Sequence, residues 1–335
     1  MRADTPPAQR PPRSRPGRRL RAAPRRLLAT ALGLVLLLLV LTAVALLVGR
    51  PGGTPGADDD EAAETVACGT WGLEGVEAPV RGPDAPHSGG LFGVDLFGPG
   101  EQWRDRFGLE FEHGGIASGY HVLADGVDPE RPVGAVYHFH GDGGFEYDHP
   151  EYAVSCMAEV ARERNMLLVV LQTPDHDDPE VTWWEERGRN GEWFRALVEQ
   201  RLRADYPLDP ERTWFTGYSG GAQFISQELL ADHADLIPGG GAVMMGGGQG
   251  PDSEPATEPT AAQLEDLRLH WDVGRLDDGS DPAATFDALS AARDGYRWYT
   301  RWIGFEDTSL EVRRGIDHFG LPYAGILEDV LDGEL

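Results

Sequence analysis

The stretch Arg212–Ser226, Arg-Thr-Trp-Phe-Thr-Gly-Tyr-Ser-Gly-Gly-Ala-Gln-Phe-Ile-Ser, decides the fold. A β-prone run at 213–216 leads into Gly-Tyr-Ser-Gly-Gly at 217–221, and a helix-compatible segment follows at once. This strand–turn–helix order is the setting of a G-x-S-x-G turn, in which the central serine sits on a sharp bend. Glycine at both ends of the pattern leaves the space that such a bend requires. Ser219 is therefore the candidate nucleophile, and the N–H of Gly220 is placed to face a developing oxyanion.

Around that turn, the chain alternates strand and helix patterns from about residue 115 onward. Apolar and β-branched runs predict strands, and longer amphipathic runs predict helices. The predicted strands are 120–123, 133–140, 166–171, 213–216, 241–245, 267–273 and 310–313, and the predicted helices are 150–165, 193–203, 282–302 and 323–331. This alternation predicts an α/β domain with a mainly parallel sheet covered by helices on both faces. Residues 64–114 show no clear pattern.

The partners of a nucleophilic serine in such a domain are expected in loops that follow later strands. Three histidines follow the serine, and one of them, His318, lies just past the strand 310–313, where a general base belongs. The acid that orients the imidazole is expected in the loop after the strand 267–273. Asp277 is the candidate there, and Asp278 stays open as an alternative.

A glycine-rich run, His-Gly-Asp-Gly-Gly at 140–144, follows the strand 133–140. Glycines at this place let backbone N–H groups point into a site, so the N–H groups of Asp142 and Gly220 are the predicted oxyanion donors. The Asp142 carboxylate is expected to face away, because it would oppose the developing negative charge. The same run allows an alternative, a metal-dependent hydrolase that uses His138, His140 and Asp142 as ligands.

Together these motifs resemble those of α/β-hydrolases, in particular exported esterases of the polyhydroxybutyrate-depolymerase and feruloyl-esterase type. The residues that carry the resemblance are 140–144, 217–221, 274–277 and 315–318, and the resemblance extends from about residue 115 to the C-terminus. It implies an α/β-hydrolase fold and a serine carboxylesterase without a cofactor, with Ser219, Asp277 and His318 as the triad. Peptidase or acyltransferase chemistry on the same triad, and an inactive hydrolase-like surface binding module, remain alternatives. Segments 174–192 and 249–260 are candidates to line the substrate site.

The N-terminal region predicts a membrane anchor ahead of the domain. Residues 1–26 form a basic, proline-rich tail, and residues 27–49 are uncharged and long enough to span a bilayer as a helix. This apolar run exceeds the core of an ordinary cleaved signal peptide. Arginines before it place the N-terminus in the cytoplasm, so the rest of the chain is expected outside, or secreted if the segment is cleaved. Residues 50–66 read as a flexible acidic linker, and 67–335 as the catalytic domain.

The charge of the chain limits the substrates and partners it can bind, and its two cysteines could form one disulfide. The chain has 29 Lys plus Arg and 56 acids, for a net charge of −27, and the excess of basic residues is confined to the first 50 positions. An acidic body repels nucleic acid and polyanions, so a neutral or aromatic ester, small or polymeric, is the expected substrate. Oligomeric state is not predicted. The two cysteines, Cys68 and Cys156, could form a disulfide outside the cytoplasm, and the sequence leaves that pairing open.

Overall fold

A computed structural model of the chain describes residues 64–83, 101–176 and 181–333. The predicted basic tail (1–26) and membrane anchor (27–49) lie outside these ranges. In the described part of the chain, no helix is both long enough and apolar enough to cross a membrane. The first strand of the described residues, Thr65–Ala67, overlaps the end of the segment 50–66 predicted as a linker.

Within the described residues, two strands form a small antiparallel sheet and eight form a large one. The strands are β1 (Thr65–Ala67), β2 (Glu77–Pro79), β3 (Arg106–His113), β4 (Ile116–Leu123), β5 (Val133–Phe139), β6 (Met166–Leu171), β7 (Leu208–Tyr218), β8 (Gly240–Met245), β9 (Arg268–Gly274) and β10 (Thr308–Arg313). The order across the large sheet is β3-β4-β6-β5-β7-β8-β9-β10. Every pair from β6 to β10 is parallel, whereas β4 pairs antiparallel with β3 and with β6.

Helices cover both faces of the large sheet. They are α1 (Phe145–Asp148), α2 (Ala153–Glu163), α3 (Arg187–Leu197), α4 (Gly220–Phe224), α5 (Ala261–Asp266), α6 (Ala288–Arg297) and α7 (Tyr323–Asp332), and α3, α4 and α6 each continue through a π-helical turn. One apolar cluster joins one face of the sheet to α3, α4 and α6, and a second joins the other face to α2 and α7. The predicted mainly parallel sheet with helices on both faces is confirmed, in the strand order of an α/β-hydrolase fold.

One strand was not predicted, and two helices begin at other residues than predicted. The strand β3 was missed because its residues alternate between half-buried and exposed at the edge of the sheet, and Gly108 interrupts the run with a φ of +61°. The predicted helix 282–302 starts instead at Ala288, because Asp287 caps it by accepting a hydrogen bond from the N–H of Ser290 at 2.9 Å. The predicted helix 193–203 starts earlier, at Arg187.

A disulfide joins Cys68, just after β1, to Cys156 on α2, so the pairing that the sequence left open is present. Both cysteines are fully buried in the cluster on the α2–α7 face. A second link lies nearby, where the backbone N–H of Arg81 donates to Ser155 Oγ at 3.0 Å. The small N-terminal sheet is therefore tied to α2 by both a covalent bond and hydrogen bonds.

Two buried histidines near the end of β5 differ in their partners. At His140, Nδ1 contacts the Gly141 carbonyl oxygen at 2.7 Å and Nε2 accepts the Thr173 N–H at 3.1 Å, which fixes a neutral Nδ1–H tautomer. Neither ring nitrogen of His138 has a hydrogen-bond partner among the described residues, although the ring is fully buried. Burial lowers the pKa of His138 to about 3 and that of His140 to about 4.

The disulfide should account for a large share of the stability. The bond closes a loop with a sequence separation of 88, and chain entropy assigns about 4–5 kcal/mol to a loop of that length. The double exchange Cys68→Ala with Cys156→Ala is expected to lower the free energy of unfolding by up to this amount, as measured by urea denaturation. Wild-type protein treated with reductant is the control and should behave like the variant. Equal midpoints for oxidised wild type and the variant would contradict this expectation.

The exchange His138→Leu should stabilise the protein. It removes two buried nitrogens without partners and keeps an apolar group of similar size, so the free energy of unfolding at pH 7 is expected to rise by about 1–3 kcal/mol. His140→Leu is the matched control, because it deletes a ring with two bonds, and it should lower that free energy by a similar amount. The order of the two variants in urea denaturation at pH 7 checks this, and a reversed order would refute it.

The exchange His138→Leu should also change how the free energy of unfolding depends on pH. An unfolded histidine binds a proton near pH 6.5, whereas folded His138 does so only near pH 3. Burial of His138 therefore costs no proton-linked stability above about pH 6.5, and it lowers the free energy of unfolding progressively as the pH falls below that value. In His138→Leu, the slope of unfolding free energy against pH should decrease by up to about 1.4 kcal/mol per pH unit between pH 6 and 4. An unchanged slope would mean that the buried ring already binds a proton above pH 6.

Candidate active site

The turn at Ser219 joins the end of β7 to the start of α4 in a strained conformation. Ser219 has φ +50° and ψ −112°, a backbone conformation that residues other than glycine rarely adopt. Such a backbone costs on the order of 1–3 kcal/mol and persists because the surrounding structure holds it. Here the Ser219 N–H donates to the Met245 carbonyl at 2.8 Å, and the Ser219 carbonyl accepts the Gln223 N–H at 3.0 Å. The bend is therefore fixed from the neighbouring strand and from the helix.

The two outer glycines of the turn are required by close contacts. A Cβ on Gly217 would lie 2.6 Å from the carbonyl carbon of Gly221. A Cβ on Gly221 would overlap with the carbonyl oxygen of Phe139, at the end of β5. Any side chain at either position would push β7, α4 and β5 apart. The spacing that marked the turn in the sequence thus has a steric cause.

The structure brings together the three residues predicted as a triad. His318 Nε2 lies 3.0 Å from Ser219 Oγ, and His318 Nδ1 lies 2.8 Å from Asp277 Oδ2. With Nδ1–H donating to the carboxylate, Nε2 is free of hydrogen and can accept the Ser219 hydroxyl proton. This is the hydrogen-bond geometry of a nucleophile, a general base and an orienting acid.

The contact to the imidazole comes from Asp277 and not from Asp278. The side chain of Asp277 is fully buried. Asp278 is exposed, and its Oδ1 accepts the Ser280 N–H at 3.1 Å, which together with the Ser280 hydroxyl lowers its pKa. A residue at the end of a tight turn can point in or out, and the sequence alone did not distinguish the two. The alternative acid therefore has no contact with His318.

The loops that carry the acid and the base are bonded to each other. The Leu276 N–H donates to the Ile316 carbonyl at 2.9 Å, and the Arg275 N–H donates to the Arg313 carbonyl at 2.8 Å. Gly274 makes this approach possible, because a Cβ there would overlap with the Ile316 carbonyl oxygen. The distance between Asp277 and His318 is thereby set by the backbone and not by the side chains alone.

Tyr218, the variable residue inside the turn, supports the base, which the sequence did not predict. Its hydroxyl donates to the His318 carbonyl at 2.9 Å, and its ring lies 5.0 Å from the imidazole. The pattern G-x-S-x-G leaves this position unspecified. The sequence pattern therefore assigns no role to this residue, and its hydrogen bond to the base loop is visible only in the structure.

The glycine-rich loop after β5 lies against the turn. A Cβ on Gly141 would lie 2.6 Å from the Tyr218 ring. Three of its N–H groups have acceptors: Gly141 donates to Glu146 Oε2 at 3.2 Å, Gly143 to the Val181 carbonyl at 3.2 Å and Gly144 to the Gly141 carbonyl at 3.1 Å. These three groups are committed to holding the loop. The N–H groups of Asp142 and Gly220 stay the predicted oxyanion donors.

The Asp142 carboxylate lies against Gly220. The expectation that it faces away from the Ser219 turn is therefore wrong. The indole Nε1–H of Trp184 donates to both carboxylate oxygens at 3.2 Å, and a Cβ on Gly220 would overlap with Oδ1. The carboxylate is held against Gly220 because the indole lies there. Negative charge therefore lies beside Gly220, which disfavours anionic substrates.

The alternative set of metal ligands does not converge on one point. Both nitrogens of His140 are engaged with backbone groups, and the Asp142 carboxylate is bonded to Trp184. His138 lies on β5 inside the apolar core. Among residues 64–83, 101–176 and 181–333, no group of three His, Cys, Asp or Glu side chains is arranged to hold a metal ion.

Of the two segments predicted to line the site, each contacts the turn region. In the first, the described residues include Val181 and Trp184, which bond to the glycine-rich loop. In the second, the Gln249 N–H donates to Gln223 Oε1 at 2.5 Å, and its carbonyl accepts from Ser226 Oγ at 2.7 Å. Both segments therefore border the elements that carry Ser219.

No protein-family profile and no curated protein matches the chain. Solved structures that resemble it include a thermostable esterase, with a TM-score of 0.47 and 16% identity over 68% of this chain and 60% of that one. A feruloyl esterase module from Clostridium thermocellum gives a TM-score of 0.49 and 13% identity, over 68% of this chain and 87% of that one. A poly(3-hydroxybutyrate) depolymerase from Bordetella parapertussis gives a TM-score of 0.47 and 22% identity, over 68% of this chain and 90% of that one.

The match covers 60% of the thermostable esterase's own length, which is less than two thirds of that protein. The strand order of the large sheet and the strand–turn–helix at Ser219 are observed directly in this structure, independently of the compared proteins. By these features the chain has the α/β-hydrolase fold.

Proposed function

We propose that the chain is a serine hydrolase of carboxylic esters that acts through an acyl-enzyme. The observation that carries this proposal is the continuous hydrogen-bond path from Ser219 Oγ through His318 to Asp277, at 3.0 and 2.8 Å. The path starts at a serine on a strained turn, which exposes the hydroxyl at the carboxyl ends of parallel strands. A purely structural serine would need neither the strained turn, nor this position at the carboxyl ends of the strands, nor the hydrogen-bond path to a buried acid.

The chemistry follows from this arrangement. As Ser219 Oγ attacks the ester carbonyl carbon, His318 Nε2 takes the hydroxyl proton, and the buried Asp277 carboxylate stabilises the imidazolium. The oxyanion forms beside the N–H groups of Gly220 and Asp142, the proposed donors. His318 then gives the proton to the leaving alkoxide, which departs as an alcohol. Water repeats the sequence on the acyl-enzyme and releases the carboxylic acid.

Neutral substrates with apolar parts fit this site best. Exposed apolar side chains flank the triad: Leu276 precedes the acid, Phe319 follows the base and Phe145 follows the glycine-rich loop, with 55%, 59% and 53% of their surface exposed. The Asp142 carboxylate beside Gly220 and the net charge of −27 oppose polyanions. We therefore propose small or polymeric neutral esters as the substrate class and no nucleic acid as a partner.

A location outside the cytoplasm is part of the proposal. The Cys68–Cys156 disulfide supports an oxidising compartment. The uncharged run 27–49 after an arginine-rich tail favours a single membrane anchor with the N-terminus inside. Anchored and secreted forms are separated by fractionating cells that express the full chain, since an anchored form remains with the membrane after a salt wash.

Exchange of the two adjacent acids tests the triad. With p-nitrophenyl esters of short acids as substrates, Asp277→Asn is expected to lower kcat about 10³–10⁴-fold, because the imidazole loses the partner that fixes its tautomer. Asp278→Asn is the matched control one residue away, and it should stay within about twofold of wild type, because Asp278 is exposed and bonds only within its own turn. A larger loss in Asp278→Asn than in Asp277→Asn would contradict the assignment.

The same assay separates the alternatives. Hydrolysis that survives a chelator favours the serine mechanism, and loss on chelation favours the metal-dependent hydrolase. Hydrolysis of amides in preference to esters would indicate a peptidase, and transfer to an added alcohol in preference to water would indicate an acyltransferase. Folded protein that hydrolyses none of these substrates would support the inactive binding module.

A further inference from the structure

The strand that leads to the catalytic base is weakly held by apolar packing. β10 lies at the edge of the large sheet, and β9 is its one neighbour among the described strands. All six of its residues are half-buried or exposed, so burial of apolar surface contributes little to fixing it. The chain leaves the sheet at Arg313 and continues into the loop of His318. The position of the base therefore depends on what holds this end of β10.

An ion pair fastens the end of β10 to β9. Arg313 Nε donates to both carboxylate oxygens of Asp272, at 2.8 and 2.9 Å, and Arg313 Nη2 lies 2.8 Å from Oδ2. The Asp272 side chain is fully buried, whereas 24% of the Arg313 side chain is exposed. Two nitrogens of one guanidinium group on one carboxylate fix the orientation of the two side chains as well as their distance. The contact therefore restrains the direction in which the strand end points.

A buried ion pair of this kind adds little net stability. The desolvation of the carboxylate offsets much of its attraction to the guanidinium group, and apolar side chains of similar size often stabilise a protein equally well. Apolar side chains do not supply the directional restraint that a forked, charged hydrogen bond provides. The geometry that the pair enforces is therefore a better explanation for it than stability.

Both residues of the pair are also bonded to the site through their backbones. The Arg313 carbonyl oxygen accepts the N–H of Arg275, in the acid loop, at 2.8 Å. The Asp272 carbonyl oxygen accepts the N–H of Gly246 at 2.8 Å, and Gly246 directly follows the residue whose carbonyl accepts the N–H of the nucleophile. The ion pair thus lies where the backbone contacts of the acid, the base and the nucleophile meet.

We propose that Asp272 and Arg313 are positioning residues: their ion pair holds the end of β10 against β9 and thereby keeps His318 in hydrogen-bond contact with the acid and the nucleophile. The inference rests on the proposed function, because it concerns the alignment that this reaction needs. Both residues act through the backbone of the loops and not on the reacting atoms. Misplacement of a reacting group by about 1 Å can cost on the order of 10²-fold in rate, so even a small shift of the base loop is measurable.

A second ion pair, at the opposite end of the same two strands, provides a matched control. Arg268, the first residue of β9, donates from Nε to Asp307 Oδ2 at 2.9 Å, and Asp307 directly precedes β10. This pair joins the amino ends of the two parallel strands, whereas the acid and the base follow their carboxyl ends. Variants of the two pairs therefore weaken the same strand pairing near the site and far from it.

The exchange Asp272→Asn tests the proposal, with Asp307→Asn as its control. Asparagine keeps the shape of the side chain and one acceptor oxygen but removes the charge, and the partly exposed Arg313 can still reach water. With p-nitrophenyl esters, kcat per folded protein should fall at least about tenfold in Asp272→Asn, with KM within about twofold of wild type. In Asp307→Asn, kcat should stay within about twofold. An equal loss in both variants, or an unchanged kcat in folded Asp272→Asn, would overturn the proposal.

A second exchange covers the case in which Asp272→Asn does not fold. Arg313→Lys keeps a positive charge beside the buried carboxylate but replaces the planar fork with a single ammonium group. The loss of one directional hydrogen bond should lower kcat about threefold to tenfold. Arg268→Lys is the control at the opposite end and should stay within about twofold of wild type. A wild-type kcat in folded Arg313→Lys, where Asp272→Asn cannot be assayed, would refute the proposal.

Backbone hydrogen exchange measures the loop contact without substrate. The N–H groups of Arg275 and Leu276 donate to carbonyl groups at 313 and 316, so their exchange rates report how firmly the acid loop is bonded to the base loop. In Asp272→Asn these two amides should exchange at least about tenfold faster than in wild type, because the anchored end of β10 opens more often. In Asp307→Asn they should exchange at the wild-type rate. A purely structural role would instead raise exchange throughout the sheet.

This measurement distinguishes failure of the inference from failure of the proposed function. If no variant hydrolyses esters but exchange at 275 and 276 rises as described, the hydrolase proposal fails and the role of the ion pair in joining the loops stands. If esters are hydrolysed but exchange at these amides is the same in wild type and Asp272→Asn, the positioning role fails and the hydrolase stands. A uniform rise in exchange across the sheet likewise rules out the positioning role.

Discussion

The site depends on a single strained residue, Ser219, whose φ of +50° the fold must hold in place. The strain, on the order of 1–3 kcal/mol, is offset by the burial of β7 and α4 on either side of it. The N–H bond to Met245 fixes the residue from the neighbouring strand. Gly217 and Gly221 allow β5, β7 and α4 to approach as closely as this conformation requires. This conformation places the half-buried Ser219 hydroxyl at the carboxyl end of β7, 3.0 Å from His318 Nε2.

Parallel pairing then brings the other groups to the same edge. The glycine-rich loop follows β5, the acid follows β9 and the base follows β10, and all three strands run in the direction of β7. Backbone bonds between the acid and base loops set the spacing of Asp277 and His318. Tyr218 adds a bond from the turn itself to the His318 loop. The position of each triad member is thus determined by backbone contacts that do not involve the reacting atoms.

Much of this arrangement could be predicted from the sequence, because it depends on chain order and on residues with special steric properties. The α/β class, the strand before Ser219 and the loops of Asp277 and His318 all follow from apolar runs, glycines and their order. The edge strand β3 was missed because its half-exposed residues lack a clear pattern. The partner of Asp142 could not be foreseen, since Trp184 reaches it from a distant part of the chain. Such contacts depend on tertiary structure that periodicity does not encode.

The central claim is that Ser219 is the nucleophile. It is tested most directly by treating the folded protein with a fluorophosphonate and locating the adduct by peptide mass spectrometry. The account predicts one adduct per chain, on Ser219, and its loss in Ser219→Ala and in His318→Gln, which removes the base. An adduct on another residue, or labelling that persists in Ser219→Ala, would contradict the account.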